Sequence, residues 1–176
     1  MDAARLLRLL AGHLSGPDVP WAVAGGFALN ALGYARFTRD LDVLVDEAGR
    51  VPLLEGLVDD GFEVLFASEG FANLLHTDAA LGRLDLLFVE GETSRRIFGG
   101  CRQVPGPGSV PVLVPRPEHL VAMKVAAIAN DPGRGLRDLA DVLFLLRLPG
   151  IDDNEVRGYF ERRGLIETWE QLQRLR

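Results

Sequence analysis

Strand-like and helix-like segments alternate up to residue 115, and only helices follow. That order predicts an α+β (α/β) fold, a mixed β-sheet flanked by helices with a C-terminal helical subdomain. Apolar residues make up 48% of the 176, enough for a genuine core, and there is no internal repeat. The expected division is a core over 1–115 and a helical subdomain over 116–176.

The opening MDAARLLRLLAGHL places Leu6, Leu7, Leu10 and Leu14 at helical spacing, and predicts an amphipathic first helix. SGPDVP (15–20) reads as a turn, followed by a short strand, Trp21–Ala24, that breaks at Gly25-Gly26. A helical segment, Phe27–Leu32, precedes the strand Asp40–Val45. Val51, Leu54, Leu57 and Val58 follow helical spacing and stop near Asp59-Asp60-Gly61. Phe62–Phe66 and Phe71–His76 read as strands, and Arg83–Val89 as a buried one. Glu92–Phe98 fits one or two helical turns. A weak strand near Cys101, the turn Val104–Ser109 and the strand Val110–Val114 come next. Pro115 and Pro117 start a helix running to Asn130. The loop 131–135 leads to a helix over Leu136–Leu148, and a charged helical tail spans Asp152–Arg176.

A formal charge of −6 argues against a broad nucleic-acid surface, although the 19 basic residues, all Arg except Lys124, leave material for a local groove. A single cysteine, Cys101, excludes an internal disulfide and a Cys-based zinc site, and points to a reduced, cytoplasmic setting. No apolar run approaches membrane-spanning length, and the N-terminus lacks the layout of a signal peptide. His13, His76 and His119 show no metal-ligand spacing and read as structural. The chain carries neither a P-loop nor a GxGxxG sequence.

The stretch WAVAGGFALNALGYARFTRDLDVLVD (21–46) carries the chemistry. On the predicted strand Asp40 and Asp42 share one face, with Leu41, Val43 and Val45 on the other. Two such carboxylates repel unless a cation lies between them. Their oxygens suit Mg²⁺, or Mn²⁺ in its place, which takes one or two carboxylates plus substrate phosphates. Gly25-Gly26 ends the first strand where a helix begins, a place where bare backbone can approach a phosphate. Together these features predict chemistry on a nucleoside triphosphate. Arg36 and Arg39, just before the carboxylate strand, read as contacts to phosphate or acceptor, or as surface salt bridges.

Asp85 interrupts an apolar strand and is costly there unless paired or metal-bound. Either it answers Arg83, or it supplies a third carboxylate that binds metal and takes a proton from an attacking hydroxyl. Lys124 lies in an apolar column with Leu120 and Ile128. It is read either as a snorkelling side chain or as an amine held toward triphosphate. Asp138 and Asp141 are expected to share a helix face opposite Leu136, Ala140 and Leu143. A plain solvated face explains that pair as well as a site does.

Gly-Gly, thirteen residues and D-x-D, in the form GGxAxN…RxTxDLD, resembles the nucleotidyltransferase superfamily with the DNA-polymerase-β-like fold, and within it the small bacterial AbiE-type toxins of type IV toxin–antitoxin systems. Gly26 stands where part of that family has Ser. The resemblance implies the nucleotidyltransferase fold, with Asp40, Asp42 and Asp85 as catalytic metal ligands. It also implies nucleotide binding by Gly25, Gly26, Arg36, Thr38 and Arg39, and by Lys124 and an aspartate of the following helix, Asp138 before Asp141.

The expected function is Mg²⁺-dependent transfer of a nucleoside monophosphate from an NTP to a hydroxyl acceptor with release of pyrophosphate. The acceptor is left open between a tRNA, a protein and a small molecule. A cognate antitoxin is an expected partner if the chain is a toxin. A non-catalytic nucleotide-binding or partner-binding domain that retains the fold is the alternative.

Overall fold

The computed structural model describes residues 1–176 except 17, 18, 132 and 134, so the expected turn at 15–20 and the loop at 131–135 lie partly outside the described residues. The chain divides into two compact units, Met1–Pro115 and Arg116–Arg176.

The first unit is built on a five-stranded mixed sheet of order β1-β2-β5-β4-β3. Its strands are β1 (Trp21–Val23), β2 (Asp40–Asp46), β3 (Phe62–Ser68), β4 (Phe71–His76) and β5 (Arg83–Val89). β2 and β5 run parallel, and the other neighbours pair antiparallel. Leu41, Val43 and Val45 of β2, and Leu84, Leu86 and Phe88 of β5, are buried, as their alternation requires. The helix α1 (Ala3–His13) buries Leu6, Leu7 and Leu10, and Asp2 caps it by accepting the Arg5 N–H at 3.0 Å. The edge strand β3 is exposed along most of its length, and a register shift between Val64 and Phe66 interrupts its pairing with β4. Such bulges twist an open edge away from further strands.

The helices α2 (Gly25–Ala31), α3 (Arg50–Asp59) and α4 (Gly91–Gly99) link the strands. α4 is longer than the one or two turns expected from its composition. Its buried Ser94 hydroxyl donates to the Asp46 carboxylate, a tie that local propensity cannot announce. A separate hairpin, β6 (Arg102–Pro105) with β7 (Pro111–Val114), realises the weak strand near Cys101.

The second unit holds α5 (Pro117–Asn130), α6 (Gly135–Leu146), α7 (Asp153–Arg162) and α8 (Ile166–Leu175). Pro117 opens α5 in the first turn, where a missing N–H costs nothing. The tail expected to be helical forms two helices, α7 and α8. Gly164 adopts φ 69°, its N–H donates to the Glu161 carbonyl at 3.1 Å, and the Leu165 N–H donates to Phe160 at 2.9 Å. That pair of bonds closes a helix on a left-handed residue, so the glycine decides the break. The fold-back brings the Phe160 and Trp169 rings to 5.7 Å between centroids, with both side chains buried.

Gly164→Ala therefore forces a side chain into the left-handed region and is expected to lower stability by roughly 1 kcal/mol. A urea midpoint shifted down at unchanged helical signal would report it.

Candidate active site

In the parallel pairing of β2 with β5, Asp40 lies opposite Arg83, Leu41 opposite Leu84, and Asp42 opposite Asp85. Directly paired residues of neighbouring strands share a sheet face, so Asp40, Asp42 and Asp85 share one face and the buried leucines take the other. β4 extends the row, because Asn73 pairs with Asp85 in the antiparallel β4–β5 ladder. All three carboxylate residues are half-buried. Arg83 stands in register with Asp40, on the same face as Asp85.

Like charges on adjacent strands, about 5 Å apart, cost on the order of 3 kcal/mol at an effective dielectric near 20. The protein offsets part of this with hydrogen bonds. The Thr38 hydroxyl lies 2.6 Å from Asp40 Oδ1 and 3.2 Å from the Asp40 carbonyl, and donates to these acceptors. The Asn73 amide donates to Asp85 Oδ1. Neither Asn73 nor this use of Thr38 was foreseen. A lone polar residue in the otherwise apolar FANLLH, once aligned with Asp85, is the signal that identifies Asn73.

The glycines do more than end a strand. A Cβ on Gly25 would stand 1.8 Å from Asp42 Oδ2, and Gly25 has φ 53°. A Cβ on Gly26 would stand 2.7 Å from Thr38 Cβ. The space that each glycine vacates is thus filled by a side chain of the carboxylate strand or the loop before it. The Ala24 N–H donates to the Asp42 carbonyl at 2.8 Å and fixes the same junction. Further along α2, the Asn30 amide donates to the Arg36 carbonyl at 2.9 Å, and its oxygen accepts the Arg36 N–H at 2.7 Å. The loop 33–39 is therefore pinned at Arg36 by Asn30 and braced at Thr38 against Gly26. Arg39 is exposed, and its guanidinium carbon lies 5.7 Å from the centroid of the Phe37 ring.

In the second unit the Lys124 amine lies 2.8 Å from Asp138 Oδ1 and 2.7 Å from Asp141 Oδ2. Asp138 and Asp141 are 0% and 1% exposed, whereas Leu136 is 91% exposed. The face expected to be apolar is thus the outer one, and the solvated-face reading of the aspartates is overturned. The buried stripe of α6 is Asp138, Asp141, Val142 and Leu145, and an ammonium from α5 makes burial of its two acids affordable. Lys124 does not snorkel to water; it ends on these carboxylates.

Arg116 bridges Glu118 at 3.2 Å and Glu155 at 3.0 Å. Burial pulls its guanidinium pKa down, and the two carboxylates outweigh that and raise it. Burial alone pushes the Cys101 thiol up to about 11, so it is protonated at neutral pH and no nucleophile. His13 meets the Asp60 carboxylate at 2.7 Å, and His76 packs edge-on against Phe62, both as structural residues.

Among the described residues, no group of three or more His, Cys, Asp or Glu side chains is arranged to hold a metal ion. The donor set nevertheless fits a hard cation: Mg²⁺ needs only one or two carboxylates and draws its other ligands from water and substrate phosphates.

A family described as nucleotidyl transferase AbiEii toxin, type IV TA system, matches residues 8–175. The chain belongs to this family. It is therefore a nucleotidyltransferase. No curated protein matches it in sequence. Among solved structures it is similar to the antibiotic-resistance factor ANT(2'')-Ia, with 16% identity, TM-score 0.60, and coverage of 99% of this chain and 93% of that one. It is also similar to the lincosamide antibiotic adenylyltransferase LnuA, with 16% identity, TM-score 0.56, and coverage of 83% and 95%. A putative nucleotidyltransferase from Thermotoga maritima shares 19% identity at TM-score 0.51, with coverage of 79% and 92%. At these identities the likeness is one of fold, and the fold is that of nucleotidyltransferases. No helix among the described residues is long and apolar enough to cross a membrane.

Two stability effects follow for this AbiEii-family chain. Lys124→Ala leaves two buried acids without their ammonium and is expected to cost roughly 3–5 kcal/mol, measurable by urea unfolding. Gly25→Ala combines a left-handed residue with a collision at Asp42, and is expected to cost about 1–3 kcal/mol in the same assay.

Proposed function

We propose that the chain transfers a nucleoside monophosphate from an NTP to an acceptor hydroxyl at the face shared by Asp40, Asp42 and Asp85, with Mg²⁺, or Mn²⁺ in its place, bound there. The observation that carries this reading is the Asp42–Asp85 register pair with Asp40 beside it on one sheet face.

Asp40 and Asp42 are the residues assigned to hold the cation, which when bound screens the phosphates and polarises them toward attack. The N–H groups in the first turn of α2, at Gly25 and Gly26, lack intrahelical carbonyls and are assigned to the triphosphate tail. Arg36, Thr38 and Arg39 lie in the loop at that junction. The two arginines suit phosphate oxygens, which a guanidinium grips in pairs. Thr38 acts by holding the Asp40 carboxylate in place. Asp85, steadied by Asn73, is assigned to take the proton of the acceptor hydroxyl. The acceptor oxygen then bonds to the α-phosphorus, the bond from that phosphorus to the bridging oxygen breaks, and pyrophosphate leaves with the electron pair. Positioning and charge supply the rate, since the protein forms no bond of its own.

Lys124 and Asp138 are also assigned to nucleotide binding, with Asp141 sharing the amine. The family description supplies the wider setting. We infer a toxin of a type IV pair with a cognate antitoxin as partner, acting on an RNA or a protein.

Asp42→Asn is expected to abolish transfer from labelled NTP while leaving the protein at least as stable to urea as the parent, since one of two repelling charges is removed. Chelation with EDTA should do the same reversibly, with activity returning on adding Mg²⁺. Full activity in the Asn variant, or in the chelated protein, would remove this mechanism.

A further inference from the structure

We propose that Arg83 is a catalytic residue whose guanidinium takes a non-bridging oxygen of the α-phosphate and holds the charge that gathers there as the acceptor oxygen attacks. The inference rests on the nucleotidyl-transfer reading above and adds a residue to that same reaction.

The pairings across the sheet lay out the face on which Arg83 stands. In one row Asp40 lies opposite Arg83, Arg83 opposite Leu75, and Leu75 opposite Glu63. In the next, Asp42 lies opposite Asp85, and Asp85 opposite Asn73. Among the described residues that the five-stranded sheet directs to this face, Arg83 is thus the one cation amid acids. An anionic substrate brought to such a face needs a donor, and the neighbouring donors are engaged. The Asn73 amide donates to Asp85, and the Thr38 hydroxyl donates to Asp40. Arg83 differs from both. It is exposed and, although Asp40 and Asp85 flank it, closes on no carboxylate of the described residues, whereas Arg5, Arg50, Arg116 and Arg176 each do.

The order of the strands says which oxygens it meets. The glycine turn, assigned to the triphosphate tail, follows β1 on one side of β2, where the Ala24 N–H donates to the Asp42 carbonyl. β5 lies on the other side of β2. Phosphates that run from that turn across the cation-binding acids of β2 bring the reacting phosphorus to β5. There Asp85, assigned to take the acceptor proton, stands two residues from Arg83, about 7 Å along the strand. A guanidinium in that place faces the α-phosphoryl oxygens and not the tail. A fixed cation aimed at oxygens whose charge grows during attack stabilises the transition state more than the bound nucleotide, so it acts on kcat. Arg83 forms no bond and yields no proton. The acceptor proton still goes to Asp85, and the electron pair of the broken bond still leaves with pyrophosphate.

The test uses the full chain with Mg²⁺, a dialysed cell lysate as the source of acceptor, and the four α-labelled NTPs. Each is supplied in its ordinary form and as separate Rp and Sp α-thio diastereomers. A non-hydrolysable α,β-methylene NTP reports binding alone. Arg83→Ala is expected to lower the rate at saturating NTP by about 10²–10³-fold and to bind the analogue within about twofold of wild type. Arg83→Lys, and guanidinium added to Arg83→Ala, should return part of the rate. In one diastereomer sulfur should slow wild type and leave Arg83→Ala no slower than with oxygen, and Mn²⁺ should not relieve that effect.

Arg83→Ala as fast as wild type, or analogue binding lost in step with the rate, overturns the proposal. So does a sulfur effect that is the same in both proteins. A urea midpoint that falls with the rate, at unchanged sulfur effect, makes Arg83 a structural partner of the acids and overturns it too. A wild type that binds the analogue and transfers label from no NTP overturns the nucleotidyl-transfer reading and this inference with it, whereas an active wild type matched by Arg83→Ala overturns the inference alone.

Discussion

Two carboxylates placed side by side on adjacent parallel strands, Asp42 and Asp85, are the constraint around which the first unit is arranged. Their repulsion opposes folding, and they persist because the strands that carry them are held for other reasons. The opposite face of β2 and β5 is a continuous apolar layer, Leu41, Val43, Leu84 and Leu86, each with at most 1% of its surface exposed. Slipping the β2 register by one residue would turn those leucines and valines to the carboxylate face and the acids into the core, a far larger loss than the repulsion. The core thus enforces the charge pair, and the Asn73 amide, donating to Asp85, brings its cost down.

Much of this was legible in the amino-acid order, and the reason is local periodicity. Asp40 and Asp42 alternate with Leu41 and Val43 within a few residues, so their common face follows from strand geometry alone. Asp85 stood out as an acid in an apolar run for the same reason. The adjacency of Asp85 to Asp42 was a different matter. It depends on the β3–β4 hairpin lying outside β5, so that β5 inserts between β2 and β4, and only the resemblance to known nucleotidyltransferases pointed to it.

What stayed hidden involves a partner distant in sequence or a choice between two faces. Asn73 acts on a residue 12 positions away. That a Cβ at either glycine would also meet Asp42 or Thr38 was not legible from the Gly-Gly pair itself. Asp138 and Asp141 were placed on a face opposite Leu136, Ala140 and Leu143, and a solvated face explained them as well as a site did. The helix instead turns Asp138 and Asp141 inward, because Lys124 of α5 offers an ammonium that no count within α6 can include. The tail expected to be helical over 152–176 is so, and its division at Gly164 was not legible, because helical periodicity tolerates a glycine that backbone geometry uses.

The lone lysine among 19 basic residues is itself informative. Everywhere else the chain uses arginine, whose planar fork grips carboxylates and phosphates in pairs and stacks on rings, as at Phe37, Phe88 and Tyr159. At position 124 two aspartates three residues apart on one helix approach a single point, within 2.8 and 2.7 Å of one nitrogen. A compact ammonium with three freely rotating donors meets both acids from one atom. A guanidinium would have to present two edges at fixed angles in a space that leaves Lys124 only 14% exposed. The cluster remains formally negative by one, so its attraction is for cations and donors, not for phosphate directly. What Lys124 supplies to the second unit is therefore the way it fixes α5 and α6 together.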